Sequence, residues 1–198
     1  MTSVRPAAPT TSTTKARPSG ATIEAAAQYA LRHGASQLVL IGYSMGGALI
    51  TQFMEKSPLS SRVAALVLDA PALDWKAILE FNAERMNLPG FFALPVEWAI
   101  DARIDPDWNS LDALNHPEAF DLPILLFHGE EDKVIPIETS EEFAAELPDS
   151  ITYYAVPRAG HTQSWNVDPA LYERRLKAFL GSAMPETQRA RLLESGSK

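Results

Sequence analysis

Apolar residues in this chain fall into short unbroken runs, separated by longer stretches with helical spacing. Four runs are strand-like: QLVLIG at 37–42, RVAALVLDAP at 62–71, LPILLFHG at 122–129 and ITYYAVP at 151–157. Short runs rich in β-branched and aliphatic residues, without strict alternation, predict strands buried on both faces, as in a parallel sheet. ATIEAAAQYALRH is Ala-rich and stops at Gly34, which predicts a helix closed by a C-cap glycine. GGALITQFMEK and the acidic ETSEEFAAEL have helical spacing too. Asp168 before Pro169 supplies an N-cap and a proline at the first helical position, and DPALYERRLKAFL then runs to Gly181, a second C-cap signal. From Leu73 to His116 there is no strand-like run. That segment instead carries Trp75, Phe81, Phe91, Phe92, Trp98 and Trp108, and is expected to form two or three short helices as a cap.

No internal repeat interrupts this order. The expected organisation is a disordered tail over 1–20, one domain over 21–181 with a cap insertion at 73–117, and a tail over 182–198. Strands alternating with helices predict the α/β class, with a mostly parallel sheet covered by helices on both faces.

Composition narrows the partners. A chain of 198 residues with 46% hydrophobic and 21% charged residues suits a single soluble domain with a sizeable core. A net charge of −8 argues against nucleic acid and anionic membranes as partners. No apolar run approaches the ~20 residues of a membrane span. The absence of cysteine excludes disulfides, thiolate metal sites and a cysteine nucleophile. MTSVRPAAPTTSTTKARPSG is Ser/Thr/Pro-rich with three basic residues and no acid. It lacks the apolar stretch of a secretory signal and the amphipathic period of a transit peptide, so the expected location is the cytoplasm.

The chemistry gathers where the first strand ends. Gly42-Tyr43-Ser44-Met45-Gly46 fits G-x-S-x-G between a predicted strand and a predicted helix. Such a turn is sharp, and side chains at Gly42 and Gly46 are expected to collide as the strand folds into the helix. The helix N-terminus favours an oxyanion there, with the Met45 N–H as donor. A nucleophilic serine needs a base, and the base an orienting acid. Among His33, His116, His128 and His161, the last is best placed, in a loop after the fourth strand, because ligands of an open parallel sheet bind at the strands' carboxyl ends. Asp132 in HGEEDKVIP is the first choice of acid, with Glu130 and Glu131 as solvated charges. Asp69, at the end of the second strand, is the alternative, and a metal site built from the three adjacent acids lacks a second ligand cluster.

GYSMGG, HGEEDKVIP and GHTQSW, each after a strand and in that order, resemble the elbow, acid loop and histidine loop of the α/β-hydrolase superfamily, in particular its serine esterase/peptidase-like branch with a short helical cap. The resemblance implies Ser44 as nucleophile, Asp132 as acid, His161 as base and Met45 as oxyanion donor. It implies a small-molecule ester or amide as substrate, with no metal or organic cofactor. Tyr43, Trp75, Phe81, Trp98 and Trp165 are candidates for the substrate pocket, and the aromatic residues of the insertion serve equally as core of the cap. Members of the superfamily carry several strands before the elbow strand, needing on the order of 80 residues. Only 36 residues precede Gln37 here. The expectation is therefore a partial α/β-hydrolase fold that lacks one oxyanion donor and exposes a sheet edge prone to dimerisation or aggregation. A truncated or non-catalytic relative and an acyltransferase are the alternative functions.

Overall fold

The computed structural model describes residues 20–86 and 112–183. In order, these form α1 (Gly20–Arg32), β1 (Leu38–Tyr43), α2 (Met45–Lys56), β2 (Val63–Asp69), α3 (Trp75–Arg85), β3 (Ile124–Gly129), α4 (Glu138–Glu146), β4 (Ile151–Val156), α5 (Ser164–Val167) and α6 (Pro169–Ala183), with one 3-10 turn before β2 and two before β3. All four predicted strands and the helices between them are present, and the class is α/β.

The strands pair in parallel in the order β1-β2-β3-β4. Alternation along each strand divides the core into two layers. Leu38, Leu66, Leu68, Ile124, Leu126 and Ile151 face one side, where Ala27 of α1, Ile50 and Phe53 of α2 and Phe143 of α4 cover them. Ala65, Val67, Leu125 and Phe127 face the other, under Tyr172 and Phe179 of α6. Tyr172 stacks on Phe127 with centroids 4.3 Å apart.

Register sets the position of the site. Tyr43 pairs with Asp69, and Asp69 with Phe127, so the carboxyl ends of adjacent strands fall level. Bonds beyond the strands extend this: the Ser44 N–H donates to Asp69 O, Ala70 to Phe127 O and Glu130 to Val156 O. The loops that carry the chemistry thus leave one edge of the sheet side by side.

The described residues on either side of 87–111 meet beyond the end of β2. Asp74 and Asp112 form an antiparallel bridge, and the Ala113 N–H donates to Leu73 O at 2.9 Å. Leu73–Asp74 and Asp112–Ala113 therefore lie side by side. Asp74 caps α3 by accepting from Lys76 and Ala77. Phe91, Phe92, Trp98 and Trp108, the tail at 1–19 and residues 184–198 lie outside the described residues.

Of the two expected C-cap glycines, one holds and one does not. Gly34 does close α1 in the left-handed region, at φ 98°. Gly181 does not end its helix, which continues to Ala183. Leu180 and Ala183 pack on the cluster under α6, and that burial carries the helix past a residue of poor intrinsic propensity. The short α5 has no counterpart in the apolar pattern; the histidine loop folds back there through the Gly160 carbonyl, which accepts from Gln163 N.

Candidate active site

Ser44 is the residue between β1 and α2, and its backbone, at φ 51° and ψ −122°, lies outside the regions that L-residues ordinarily occupy. A β-carbon at Gly42 would sit 2.9 Å from the backbone of Gly46 and 2.7 Å from Ile50 Cδ1, so the tight elbow requires glycine there. The expectation for Gly46 fails: a β-carbon on it meets nothing within 4 Å among the described residues. The second steric glycine is Gly47, where a β-carbon would approach Pro71 Cβ to 2.4 Å. The physical reason is that α2 presses its Gly47 face, not its Gly46 face, against the chain leaving β2. The Ala72 N–H fastens that chain by donating to Ser44 O at 3.1 Å.

His161 comes from the loop after β4 and Asp132 from the loop after β3. The Ser44 hydroxyl lies 2.8 Å from His161 Nε2, and His161 Nδ1 lies 2.8 Å from Asp132 Oδ2. With the carboxylate ionised, Nδ1 carries the hydrogen and donates to Asp132, leaving Nε2 to accept from Ser44. Asp132 Oδ1 accepts from the N–H groups of Val134 and Ile135 at 2.8 and 3.0 Å. Burial raises the Asp132 pKa most strongly as a single influence, but the hydrogen bonds from His128, Val134, Ile135 and His161 together outweigh it and hold the group at about 2. The acid is therefore ionised throughout the neutral range.

Two features bring these loops together. A β-carbon at Gly129 would stand 2.3 Å from Ala159 O, so only glycine lets the acid loop touch the histidine loop. The Glu131 N–H then donates to Ala159 O at 2.9 Å. Moreover, every non-glycine residue with positive φ among those described lies at this end of the sheet: Ser44, Ala70, Arg158 and Thr162. Such conformations cost about 1 to 3 kcal/mol each and persist where surrounding packing enforces them.

Asp69, the alternative acid, meets a serine hydroxyl and not the His161 Nδ1. Its Oδ1 accepts from the Ser164 hydroxyl at 2.7 Å, which ties α5 and the histidine loop to the end of β2. Its Oδ2 is buried without a hydrogen-bond partner among the described residues. Burial is the main influence on it and pushes its pKa up to about 6, against the lowering effects of Ser164, His128 and His161.

The predicted pocket residues divide. Tyr43 and Met45 flank Ser44 with exposed side chains, and Trp165 is exposed on α5, four residues after His161. Met45 opens α2, so its N–H belongs to the first helical turn, which has no intrahelical acceptor. Trp75 instead packs against the cluster of Ala48, Ala72, Ile78 and Ile135, as core between α2 and α3. Phe81, on α3, lies under the Arg85 guanidinium at 5.8 Å. Trp98 is outside the described residues. Sequence reasoning missed the parts played by Gly47, Gly129, Ser164 and His128. Only His128 carried a visible signal, as a polar residue closing an otherwise apolar strand.

A parallel sheet with a strained serine between strand and helix, and an imidazole and a carboxylate delivered from the next strand ends, defines the nucleophile-elbow class of α/β proteins. The family model described as the alpha/beta hydrolase fold matches residues 12–111, and the chain belongs to that family. That match includes the elbow and stops before Asp132 and His161. No curated protein matches the chain in sequence. Among solved structures it is similar to an esterase of Pyrococcus furiosus, with a TM-score of 0.62 at 17% identity over 83% of this chain and 61% of that one. It is also similar to a puromycin-hydrolyzing peptidase of Mycobacterium tuberculosis, with a TM-score of 0.63 at 22% identity over 83% of this chain and 25% of that one. A bacterial membrane phospholipase A aligns with a TM-score of 0.60 at 20% identity, over 88% of this chain and 66% of that one. The chain spans about three-fifths of the length of the esterase.

Proposed function

We propose that the protein is a serine hydrolase that cleaves carboxylic esters or amides through an acyl-enzyme on Ser44. The observation that carries this reading is the unbroken chain of 2.8 Å contacts from Ser44 through His161 to Asp132, with Ser44 held at φ 51°. In that reading the Ser44 oxygen attacks the acyl carbonyl while its proton passes to His161 Nε2. Asp132 holds the imidazole in orientation and stabilises the imidazolium. The Met45 N–H at the start of α2 donates to the developing oxyanion. As the tetrahedral intermediate collapses, His161 returns the proton to the departing alcohol or amine. It then takes a proton from water, whose oxygen attacks the acyl-Ser44 ester, and returns that proton to the Ser44 oxygen as the acid is released. An alcohol in place of that water makes the same steps an acyl transfer.

Tyr43, Met45 and Trp165 supply apolar surface around the nucleophile for an acyl or leaving group. Esters and amides share this chemistry, so the substrate is proposed as a class. A weakly active or non-catalytic relative is the competing reading.

A fluorophosphonate probe separates the two, because it reacts with an activated serine. Labelling of the purified chain that disappears in Ser44→Ala is expected. A folded wild-type protein that remains unlabelled would sink the hydrolase reading.

A further inference from the structure

Asp132 is shared by two imidazoles. Its Oδ2 lies 2.8 Å from His161 Nδ1 and 3.4 Å from Nε2 of His128, whose side chain, like that of Asp132, has no exposed surface. His128 is the penultimate residue of β3, the strand that delivers the acid loop. The same Nε2 lies 3.3 Å from Ile135 O. Both neighbours of Nε2, a carboxylate and a carbonyl oxygen, are acceptors, so Nε2 must carry a hydrogen. His128 Nδ1 lies 2.7 Å from Ser140 Oγ on α4. A neutral imidazole with hydrogen on Nε2 presents Nδ1 as an acceptor, and the Ser140 hydroxyl donates to it. The directions are then fixed: Ser140 donates to His128, the His128 Nε2–H points between Ile135 O and Asp132 Oδ2, His161 donates to Asp132 and Ser44 to His161.

We propose that His128 is a positioning residue for the acid, its Nε2–H fastening Asp132 Oδ2 and its tautomer set by Ser140. Physical considerations support a role beyond packing. A fully buried imidazole at the end of an apolar strand is costly unless both nitrogens are satisfied, and here both are. Oδ1 is already held by two backbone amides, whereas Oδ2 has only side-chain donors. Without His128, Oδ2 would keep one side-chain donor, His161, and the orientation that the two amides impose through Oδ1. Ser140 extends the arrangement onto α4, a helix that carries no other group of the site.

The proposal rests on the hydrolase reading for its kinetic consequence, so the test carries one readout that does not. Fluorophosphonate labelling rates are measured against pH for wild type, His128→Leu and His128→Gln, with Ser44→Ala as blank. The imidazole nitrogens of the wild type are assigned by nitrogen-15 NMR. Leucine keeps the volume and removes the donor; glutamine returns an N–H near the position of Nε2. The expected result is an Nε2–H tautomer for His128 and labelling of His128→Leu slowed about tenfold, by analogy with the loss of an outer-shell partner. Its acid limb moves to higher pH, because a carboxylate relieved of a donor attracts the His161 proton more strongly. Glutamine restores most of the rate and the position of the limb. A merely structural role would lower labelling in proportion to folded protein and leave the limb unmoved.

Equal losses in the leucine and glutamine variants with unchanged limbs would overturn the proposal, as would an Nδ1–H tautomer. If His128→Leu does not fold, Ser140→Ala replaces it, and is expected to give mixed His128 tautomers and a smaller slowing; an unchanged tautomer there refutes the lock. A wild type that does not label overturns the hydrolase reading alone, and the tautomer then decides the role of His128.

Discussion

Two buried aspartates at the strand ends titrate in opposite directions, for one physical reason each. Asp132 has four donors and is held at about 2, whereas Asp69 has one hydroxyl partner and is pushed by burial up to about 6. The unfolded value for both is 3.8. The depressed group contributes stability that is present above the unfolded value and is lost as pH falls through about 2. The raised group works the other way: the folded state keeps its proton to higher pH than the unfolded chain, so stability declines as pH rises from about 4 through about 6. At about 1.4 kcal/mol per pH unit, the Asp69 decline is on the order of 3 kcal/mol. Asp69→Asn keeps an oxygen for Ser164 and removes the titration. Its melting temperature is expected to stay level between pH 4 and 6.5, whereas the wild-type value falls; parallel curves would refute the assignment. The pairing of acids with partners was only partly legible in the sequence. HGEED and LVLDAP each offered carboxylates after an apolar strand, and nothing in either told which would meet the imidazole.

At the scale of elements, the elbow separates what a motif suggests from what packing demands. G-x-S-x-G places its two glycines symmetrically about Ser44, but the demand for a missing side chain falls on Gly42 and on Gly47, against Gly46 backbone and Pro71 respectively. Gly42→Ala and Gly47→Ala are each expected to lose about 1 to 3 kcal/mol in denaturant unfolding, as overpacked sites do. Gly46→Ala lies within α2 with open space around it, so alanine is expected to leave stability unchanged or raise it by up to about 1 kcal/mol through helix propensity. Finding Gly46 as intolerant as Gly47 would contradict this packing. Helix and strand positions themselves were nearly all legible, because apolar runs and caps are local signals. The exceptions were α5 and the continuation of α6 past Gly181, both held by contacts with distant residues.

For the whole molecule, β1 is the terminal strand of the sheet among the described residues, and Ile41 on it is half exposed. An uncovered apolar edge is a template for pairing. Self-association through β1 is expected, seen by light scattering as mass rising with concentration, and Ile41→Lys is expected to return the monomer. A wild type that stays monomeric at high concentration would remove the edge from consideration. No helix among the described residues is long and apolar enough to cross a membrane.

The amino-acid pattern alone determined the α/β class and the strand order along the chain, and it pointed to the glycine-flanked turn at Ser44 and to the loops of Asp132 and His161, since periodicity, caps and turn chemistry act over a few residues. The tertiary structure decided what depends on distance in space. Strand register levelled Tyr43, Asp69 and Phe127, which brought loops from residues 44, 132 and 161 within hydrogen-bonding reach. Gly129 allowed two loops to touch, Asp69 was given to Ser164, and His128 was turned onto the acid. Each of these follows from side chains far apart in the chain sharing one buried volume, a constraint that no local spacing encodes.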